Sequence, residues 1–150
     1  MAEPFRSHMD AALAEARAAA ARGEVPVGAV VVRDGSVIAA AGNRTRQDAD
    51  PTAHAEMLAL RAAAAALGSE RLASCDLYVT LEPCAMCAGA IAAARIARLY
   101  YGAEDPKSGG VAHGARVFEH AQTHHAPEIY GGIGEAEAAG LLRDFFAARR

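Results

Sequence analysis

Leu81-Glu82-Pro83-Cys84-Ala85-Met86-Cys87 joins the end of a predicted strand to the start of a predicted helix and places two cysteines one helical turn apart. Two thiolates at this spacing lie on the same face of a helix and can bind one face of a metal ion. His54-Ala55-Glu56 places an imidazole and a carboxylate at the start of a second predicted helix. Together the two groups read H-x-E followed by P-C-x-x-C, and they predict one metal site shared by two helices.

Three residues of these groups are candidate zinc ligands, since zinc accepts thiolate sulfur and neutral imidazole: His54, Cys84 and Cys87. Cys75 has no ligand spacing to either group, so the fourth zinc position stays open for water, whose pKa zinc lowers toward about 7. Glu56 can reach such a water without binding the metal, and we expect it to carry protons during catalysis. Other interpretations are a closed structural zinc site, a thioredoxin-like redox pair and, for Glu56, an exposed glutamate in a first helical turn.

Length and composition favour one cytoplasmic domain over residues 1–150. The N-terminus lacks a secretory signal, and no run reaches the roughly 20 apolar residues needed to cross a bilayer, so we expect no membrane association. Three cysteines, two of them in C-x-x-C, suit a reducing compartment. Alanine inflates the hydrophobic content and Trp is absent, so a homodimer would help to bury a thin core. The net charge of -3 neither indicates nor excludes a nucleic-acid partner, because local clusters set the attracting field.

Apolar periodicity and turn residues predict an α/β fold. The predicted helices span 4–22, 53–67, 84–95, 115–119 and 135–150, and the predicted strands span 25–32, 36–41, 76–81, 98–102 and 127–130. Asp34-Gly35 predicts an antiparallel hairpin, whereas the strand-helix-strand unit around Cys84 predicts parallel strands. The sheet is therefore predicted to be mixed, with about five strands covered by helices, and Thr52 is the predicted N-cap of the second helix. The positions of the last helix predicted to face inward are Ala139, Leu142, Phe145 and Phe146.

Sequence similarity extends well beyond the metal motif. The segments concerned are Glu24–Val30, Gly42–Arg44, Asp50–Glu56, Tyr78–Cys87, Tyr100–Gly102, Asp105–Gly109, His124–His125 and Asp144–Phe146. Together they resemble the bacterial tRNA-specific adenosine deaminase family. The metal motif alone is the signature of zinc nucleobase deaminases throughout the cytidine deaminase-like superfamily, so the other segments indicate the tRNA branch. The resemblance implies the three-layer cytidine deaminase-like fold.

The resemblance also implies an enzyme that hydrolytically deaminates adenosine to inosine at the wobble position of a tRNA anticodon, in bacteria typically that of an arginine tRNA. It implies a homodimer with one Zn²⁺ per subunit, bound by His54, Cys84 and Cys87, and Glu56 as the proton shuttle. The implied substrate-binding residues are Asn43 at the base, Val27, Gly28 and Ala29 in the base pocket, and Asp105 at the sugar of the neighbouring nucleotide, together with Ala55 and Pro83. A carboxylate accepts a hydrogen bond from a 2′-hydroxyl well, which favours RNA over DNA.

Basic and histidine side chains are the candidate contacts to the tRNA anticodon stem-loop: Lys107, His124, His125, Arg143, Arg149 and Arg150. Turn-forming roles for Asn43 and Asp105, and surface histidines without a role, are the alternatives. The metal motif also fits deamination of a free base or nucleoside such as guanine, cytosine or cytidine. A third alternative is a noncatalytic RNA-binding module, against which the presence of Glu56 argues.

Overall fold

A mixed five-stranded sheet forms the middle layer of the computed structural model, which describes the backbone of residues 4–149 and the side chains of residues 8–149. The strands are β1 (Gly28–Arg33), β2 (Ser36–Gly42), β3 (Cys75–Leu81), β4 (Arg98–Ala103) and β5 (Glu128–Tyr130). Their order across the sheet is β2-β1-β3-β4-β5. β1 runs antiparallel to β2 and β3, whereas β4 is parallel to β3 and β5. The predicted mixed sheet is confirmed.

Helices cover both faces of this sheet. They are α1 (Pro4–Ala21), α2 (Ala55–Leu67), α3 (Ala85–Ala94) and α4 (Glu135–Ala147), with a 3-10 turn at Val117–Glu119. β1 is buried on both sides: Ala29 and Val31 pack in the core with α2 and α3. Val30 and Val32 pack on the opposite face, in the core with α1 and α4. A strand buried on both faces reads as a continuous apolar run, which explains the β-branched sequence of β1.

Turn chemistry sets the connections that bring the site together. Asp34 and Gly35 both have positive φ, 51° and 77°, as a two-residue turn between antiparallel strands requires. The β3-α3-β4 unit is parallel, as predicted, because its crossover passes through a helix. The ends of β2 and β3 and the start of β1 therefore lie at the same edge of the sheet, beside the starts of α2 and α3.

Three local predictions were wrong. α2 begins at Ala55 with His54 as its N-cap residue, because the hydroxyl and N-H of Thr52 both donate to Asp50 Oδ1 at 2.8 Å instead of capping the helix. Cys75, which was predicted to lie in a loop just before the strand over 76–81, is the first residue of β3 and is 1% exposed. In α4, Phe145 is buried but Phe146 is 48% exposed, since neighbouring helical residues point about 100° apart.

Bilayer-spanning segments are missing from the described part of the chain: no helix within residues 4–149 combines the required length with the required apolar character.

Candidate active site

The starts of α2 and α3 bring three metal-ligating side chains together. His54 and Cys84 are the N-cap residues of these helices, and neither side chain caps its own helix. His54 Nδ1 lies 3.7 Å from Cys84 Sγ and 3.4 Å from Cys87 Sγ. Zinc bonds of about 2.05 Å to nitrogen and about 2.3 Å to sulfur, at a tetrahedral angle, separate the two ligand atoms by about 3.6 Å. His54, Cys84 and Cys87 therefore fit three corners of a tetrahedral metal site.

The protonation state of Cys84 in this cluster favours cation binding. Hydrogen bonds with Cys87 and His54 lower the pKa of the Cys84 thiol to about 4. The hydrogen bond that Cys87 makes to Cys84, together with burial, raises the pKa of Cys87. Cys84 is therefore a thiolate that accepts a hydrogen bond from the Cys87 thiol beside an imidazole, and thiolate is the form of cysteine that binds metals.

Glu56 lies beside the cluster in the first turn of α2 and is 4% exposed. Burial raises the pKa of its carboxyl group. A carboxyl whose pKa rises toward neutrality exchanges protons more readily at working pH than an exposed one does. The position and the environment of Glu56 therefore suit a general acid-base group.

A cavity of about 220 Å³ opens onto His54, Cys84 and Glu56. It is lined by Val25, Val27, Asn43, Thr45, His54, Glu56, Leu81, Glu82, Cys84, Asp105 and Ser108. Pockets for drug-sized ligands span roughly 300–1,000 Å³. The cavity is smaller than that range, so its size suits one planar base better than a large ligand.

Three predicted substrate-binding residues line this cavity: Val27, Asn43 and Asp105. Asn43 Oδ1 accepts a hydrogen bond from the Ala55 N-H at 2.8 Å, which satisfies one of the free amides at the start of α2. Asn43 Nδ2 has no hydrogen-bond partner among the described residues. Asp105 Oδ1 accepts the Ser108 N-H at 3.0 Å, so this aspartate also shapes its own turn.

Gly28 and Ala29 do not line the cavity, which corrects their predicted role. A Cβ on Gly28 would lie 2.0 Å from the Ala12 carbonyl oxygen, so glycine here lets α1 approach β1 closely. Ala29 is fully buried in the core with α2 and α3. Ala55 and Pro83 are also outside the lining: Ala55 is fully buried, and the Pro83 carbonyl accepts the Gly110 N-H at 2.7 Å.

The predicted RNA contacts divide between two ends of the sheet. Lys107 is exposed and lines a groove of about 520 Å³ that shares Asp105 with the cavity and extends to α4. Arg143 and Arg149 are exposed on or just after α4, where the Arg149 guanidinium lies 3.4 Å above the Phe145 ring. Arg150 lies outside the described residues.

His124 and His125 do not join the cavity. His125 Nε2 donates to the Ile96 carbonyl oxygen at 2.7 Å. Ile96 precedes β4, whereas the cavity lies beyond the other end of β3 and β4, where the Glu82 N-H binds the Ala103 carbonyl at 2.8 Å. The two histidines therefore lie at the opposite end of the sheet.

Two buried carboxylates beside the cavity had no predicted role. Glu24 is 1% exposed and Glu82 is 2% exposed. Burial acts to raise the pKa of Glu82, but hydrogen bonds from the Asp105 N-H and from His113 outweigh it and lower the pKa. The available signal in the sequence was their position. Each glutamate stands directly beside one end of an apolar strand, where a charged side chain lies next to the core.

Comparison with known proteins identifies the family. The MafB19-like deaminase model matches residues 4–150. The tRNA-specific adenosine deaminase of Agrobacterium fabrum is 59% identical over 146 residues, which are 97% of this chain and 96% of that protein. A solved structure from studies of A-to-I editing by tRNA:A34 deaminases at the wobble position of transfer RNA has a TM-score of 0.89 and 59% identity, and the match covers 91% of this chain and 99% of that one.

Another similar solved structure, of lower sequence identity, is named for a different substrate. The guanine deaminase of Nitrosomonas europaea has a TM-score of 0.84 and 27% identity, over 98% of this chain and 86% of that one. It shares the fold, whereas the higher identity lies with the tRNA enzymes. The chain therefore belongs to the MafB19-like deaminase family and, within it, to the tRNA-specific adenosine deaminases.

Proposed function

We propose that this chain hydrolytically deaminates adenosine to inosine at the wobble position of a tRNA anticodon. One observation carries the proposal: His54, Cys84, Cys87 and Glu56 lie together at a base-sized cavity, in a chain that is 59% identical to a tRNA-specific adenosine deaminase. Adenosine and water give inosine and ammonia, so a bond from C6 to oxygen forms and the bond from C6 to the exocyclic nitrogen breaks.

Zinc is the proposed metal, one ion per subunit, held by His54, Cys84 and Cys87. The nitrogen-sulfur separations of 3.4 and 3.7 Å support this ligand set. When bound, zinc supplies the Lewis acid that makes water nucleophilic near neutral pH. The paired thiolates require a reducing environment to remain free, since their oxidation would remove both sulfur ligands.

Glu56 is the proposed proton carrier. It takes a proton from the attacking water and transfers it to the ring nitrogen next to C6. It then takes the second proton of the same oxygen, now bound to C6, and gives it to the departing amine, which leaves as ammonia. Its burial keeps water from competing for these protons. The raised pKa of its carboxyl group also reduces the difference between that pKa and those of the groups with which it exchanges protons.

Substrate recognition is proposed to use both sides of the cavity. Asn43 Nδ2 donates to the base, because its Oδ1 is already held by the Ala55 N-H. Val27 gives the base an apolar wall. Asp105 accepts a 2′-hydroxyl with the carboxylate oxygen that is not bound to Ser108, which favours RNA over DNA.

Phosphate binding is proposed to depend on a few local cations, since the net charge is -3. Lys107 lines the groove that adjoins the cavity, and Arg143 and Arg149 are exposed on or just after α4, whose Leu142 and Phe146 line the same groove. An arginine tRNA remains the predicted substrate among tRNAs. A panel of anticodon stem-loops with adenosine at the wobble position tests this choice.

We propose one domain over residues 1–150 and a homodimer. A single sheet that includes all five strands supports one domain. An apolar groove of about 340 Å³ between α2 and α3, which includes Met57, Leu60 and Ala90, supports self-association on that face. Sedimentation equilibrium measures the mass, and a monomer at micromolar concentration would contradict the homodimer.

The deciding experiment measures ammonia release from separate substrates. Purified protein is incubated with an anticodon stem-loop that carries adenosine at the wobble position, with its deoxyribose counterpart, and with guanine, cytosine and cytidine. We expect release from the RNA stem-loop above all others. The structural similarity to a guanine deaminase makes free guanine the second candidate, and deamination of a free base alone would reject the tRNA proposal.

A further inference from the structure

We propose that Glu24 and Glu82 are positioning residues, and that each fixes one of the two loops that flank the catalytic cavity. The Asn43 loop (residues 43–47) follows β2, and the Asp105 loop (residues 105–113) follows β4. Because β2 and β4 lie on opposite sides of the β1-β3 pair, the two loops border the cavity from opposite sides. The kinetic part of the test rests on the proposed function.

Glu82 organises the Asp105 loop through five hydrogen bonds. Oε1 accepts the Asp105 N-H at 3.1 Å and lies 2.8 Å from His113 Nδ1. Oε2 accepts three consecutive backbone N-H groups, those of Val111, Ala112 and His113, at 3.1, 3.0 and 3.1 Å. A carboxylate offers about four lone-pair sites, so the donors of the loop occupy the full accepting capacity of Glu82.

The Asp105 loop also packs directly on the metal-binding segment. A Cβ on Gly109 would lie 2.3 Å from Glu82 Oε2, and a Cβ on Gly110 would lie 2.5 Å from the Ala85 nitrogen. Gly110 N-H donates to the Pro83 carbonyl at 2.7 Å. Glu82 thus connects the wall that carries Asp105 with the segment that carries Cys84.

Glu24 organises the Asn43 loop in the same way. Its two carboxylate oxygens accept the Arg46 N-H at 3.2 Å and the Gln47 N-H at 2.8 Å, and the Thr45 hydroxyl lies 3.5 Å from Oε1. Asn43 N-H donates to the Val27 carbonyl at 3.1 Å. The backbone on both sides of the cavity-lining Thr45 is therefore held in place.

Glutamine cannot replace either carboxylate, although it has the same shape. Its amide group has one acceptor oxygen and an NH₂ that would face the N-H donors of the loop. Buried donors without an acceptor destabilise the arrangement that buries them. The metal cluster and Glu56 keep their own contacts, so we expect a defect in RNA binding with little change in the chemical step.

The kinetic test compares Glu24→Gln and Glu82→Gln with the wild-type chain on the adenosine stem-loop. Each variant is expected to raise KM on the order of 10- to 100-fold, with kcat changed less than about threefold and full metal content. Glu82→Asp keeps the charge and should restore part of the loss. Glu119→Gln, at an exposed glutamate of the neighbouring 3-10 turn, is the matched control and should change neither constant.

Hydrogen exchange tests the anchoring without any substrate. Glu82→Gln should speed exchange at Val111, Ala112 and His113, and Glu24→Gln should speed it at Arg46 and Gln47, each without an effect on the other loop. A fall in kcat at unchanged KM, or exchange rates equal to those of the wild type, would overturn the proposal. If Glu82→Gln does not fold, the same measurements on Glu82→Asp and Glu24→Gln decide the anchoring. An inactive wild-type chain would reject the proposed function and leave the exchange rates to decide whether the two loops are anchored.

Discussion

Replacing Gly28 by alanine tests whether this residue packs α1 or admits a substrate base. The new Cβ would lie 2.0 Å from the Ala12 carbonyl oxygen, 2.5 Å from the Ala16 nitrogen and 2.8 Å from Glu15 Cβ. Two of these atoms belong to helix backbone and cannot rotate away. α1 must retreat by about 1.4 Å to restore the 3.4 Å of an ordinary contact. Overpacking of this kind costs about 1–3 kcal/mol, and we expect about 3 kcal/mol.

Chemical denaturation measures this loss as a fall in the free energy of unfolding, and a melting curve should show Tm lower by roughly 6–12 °C. Gly140→Ala in α4 is the matched control, because its Cβ would meet only the end of the Arg143 side chain, at 3.6 Å. That change should stabilise the protein by about 0.5–1 kcal/mol. If Gly28→Ala left the stability unchanged but raised KM, the packing role would be refuted, and Gly28 would be assigned to the base pocket instead.

Four further substitutions probe the metal, the proton carrier and α4. Glu56→Gln should keep metal and RNA binding but lower kcat about 10²- to 10⁴-fold, and an active variant would contradict the proton-carrier role. Cys87→Ala should lose both metal, measured by atomic emission, and activity, so full metal occupancy would mean that the ligand set is wrong. Phe145→Ala should cost about 3–5 kcal/mol of unfolding free energy because Phe145 is buried, whereas Phe146→Ala at a 48% exposed position should cost far less. Equal losses in the two phenylalanine variants would contradict the observed orientation of α4.

The chemistry of the site was readable from the sequence because few residue types can perform it. Cys84 and Cys87 are soft ligands at helical spacing, and His54 adds a borderline ligand from a second helix; this combination has few explanations. The sheet was also predictable: the hairpin turn at Asp34-Gly35 and the helix crossover between β3 and β4 each fix a strand direction.

The features that could not be predicted from the sequence depend on the direction in which a side chain points. β1 is apolar on both faces, so its sequence has no alternation that would assign Gly28 to the α1 side. Thr52 and His54 compete for the start of α2, and the decision rests on a hydrogen bond to Asp50. The burial of Glu82 depends on donors up to 31 residues away along the chain, and pattern analysis does not reach such contacts.

The two N-cap ligands make metal binding a measure of how far the chain has folded. Cys84 and Cys87 form a local pair, but His54 joins them from 30 residues upstream of Cys84. The two helix starts follow β2 and β3, which lie on either side of β1, so they come together when β1 pairs with both strands. An unfolded chain therefore offers a metal two sulfurs and the folded chain offers all three ligands, so the added imidazole binds the metal more tightly as the central strands pair.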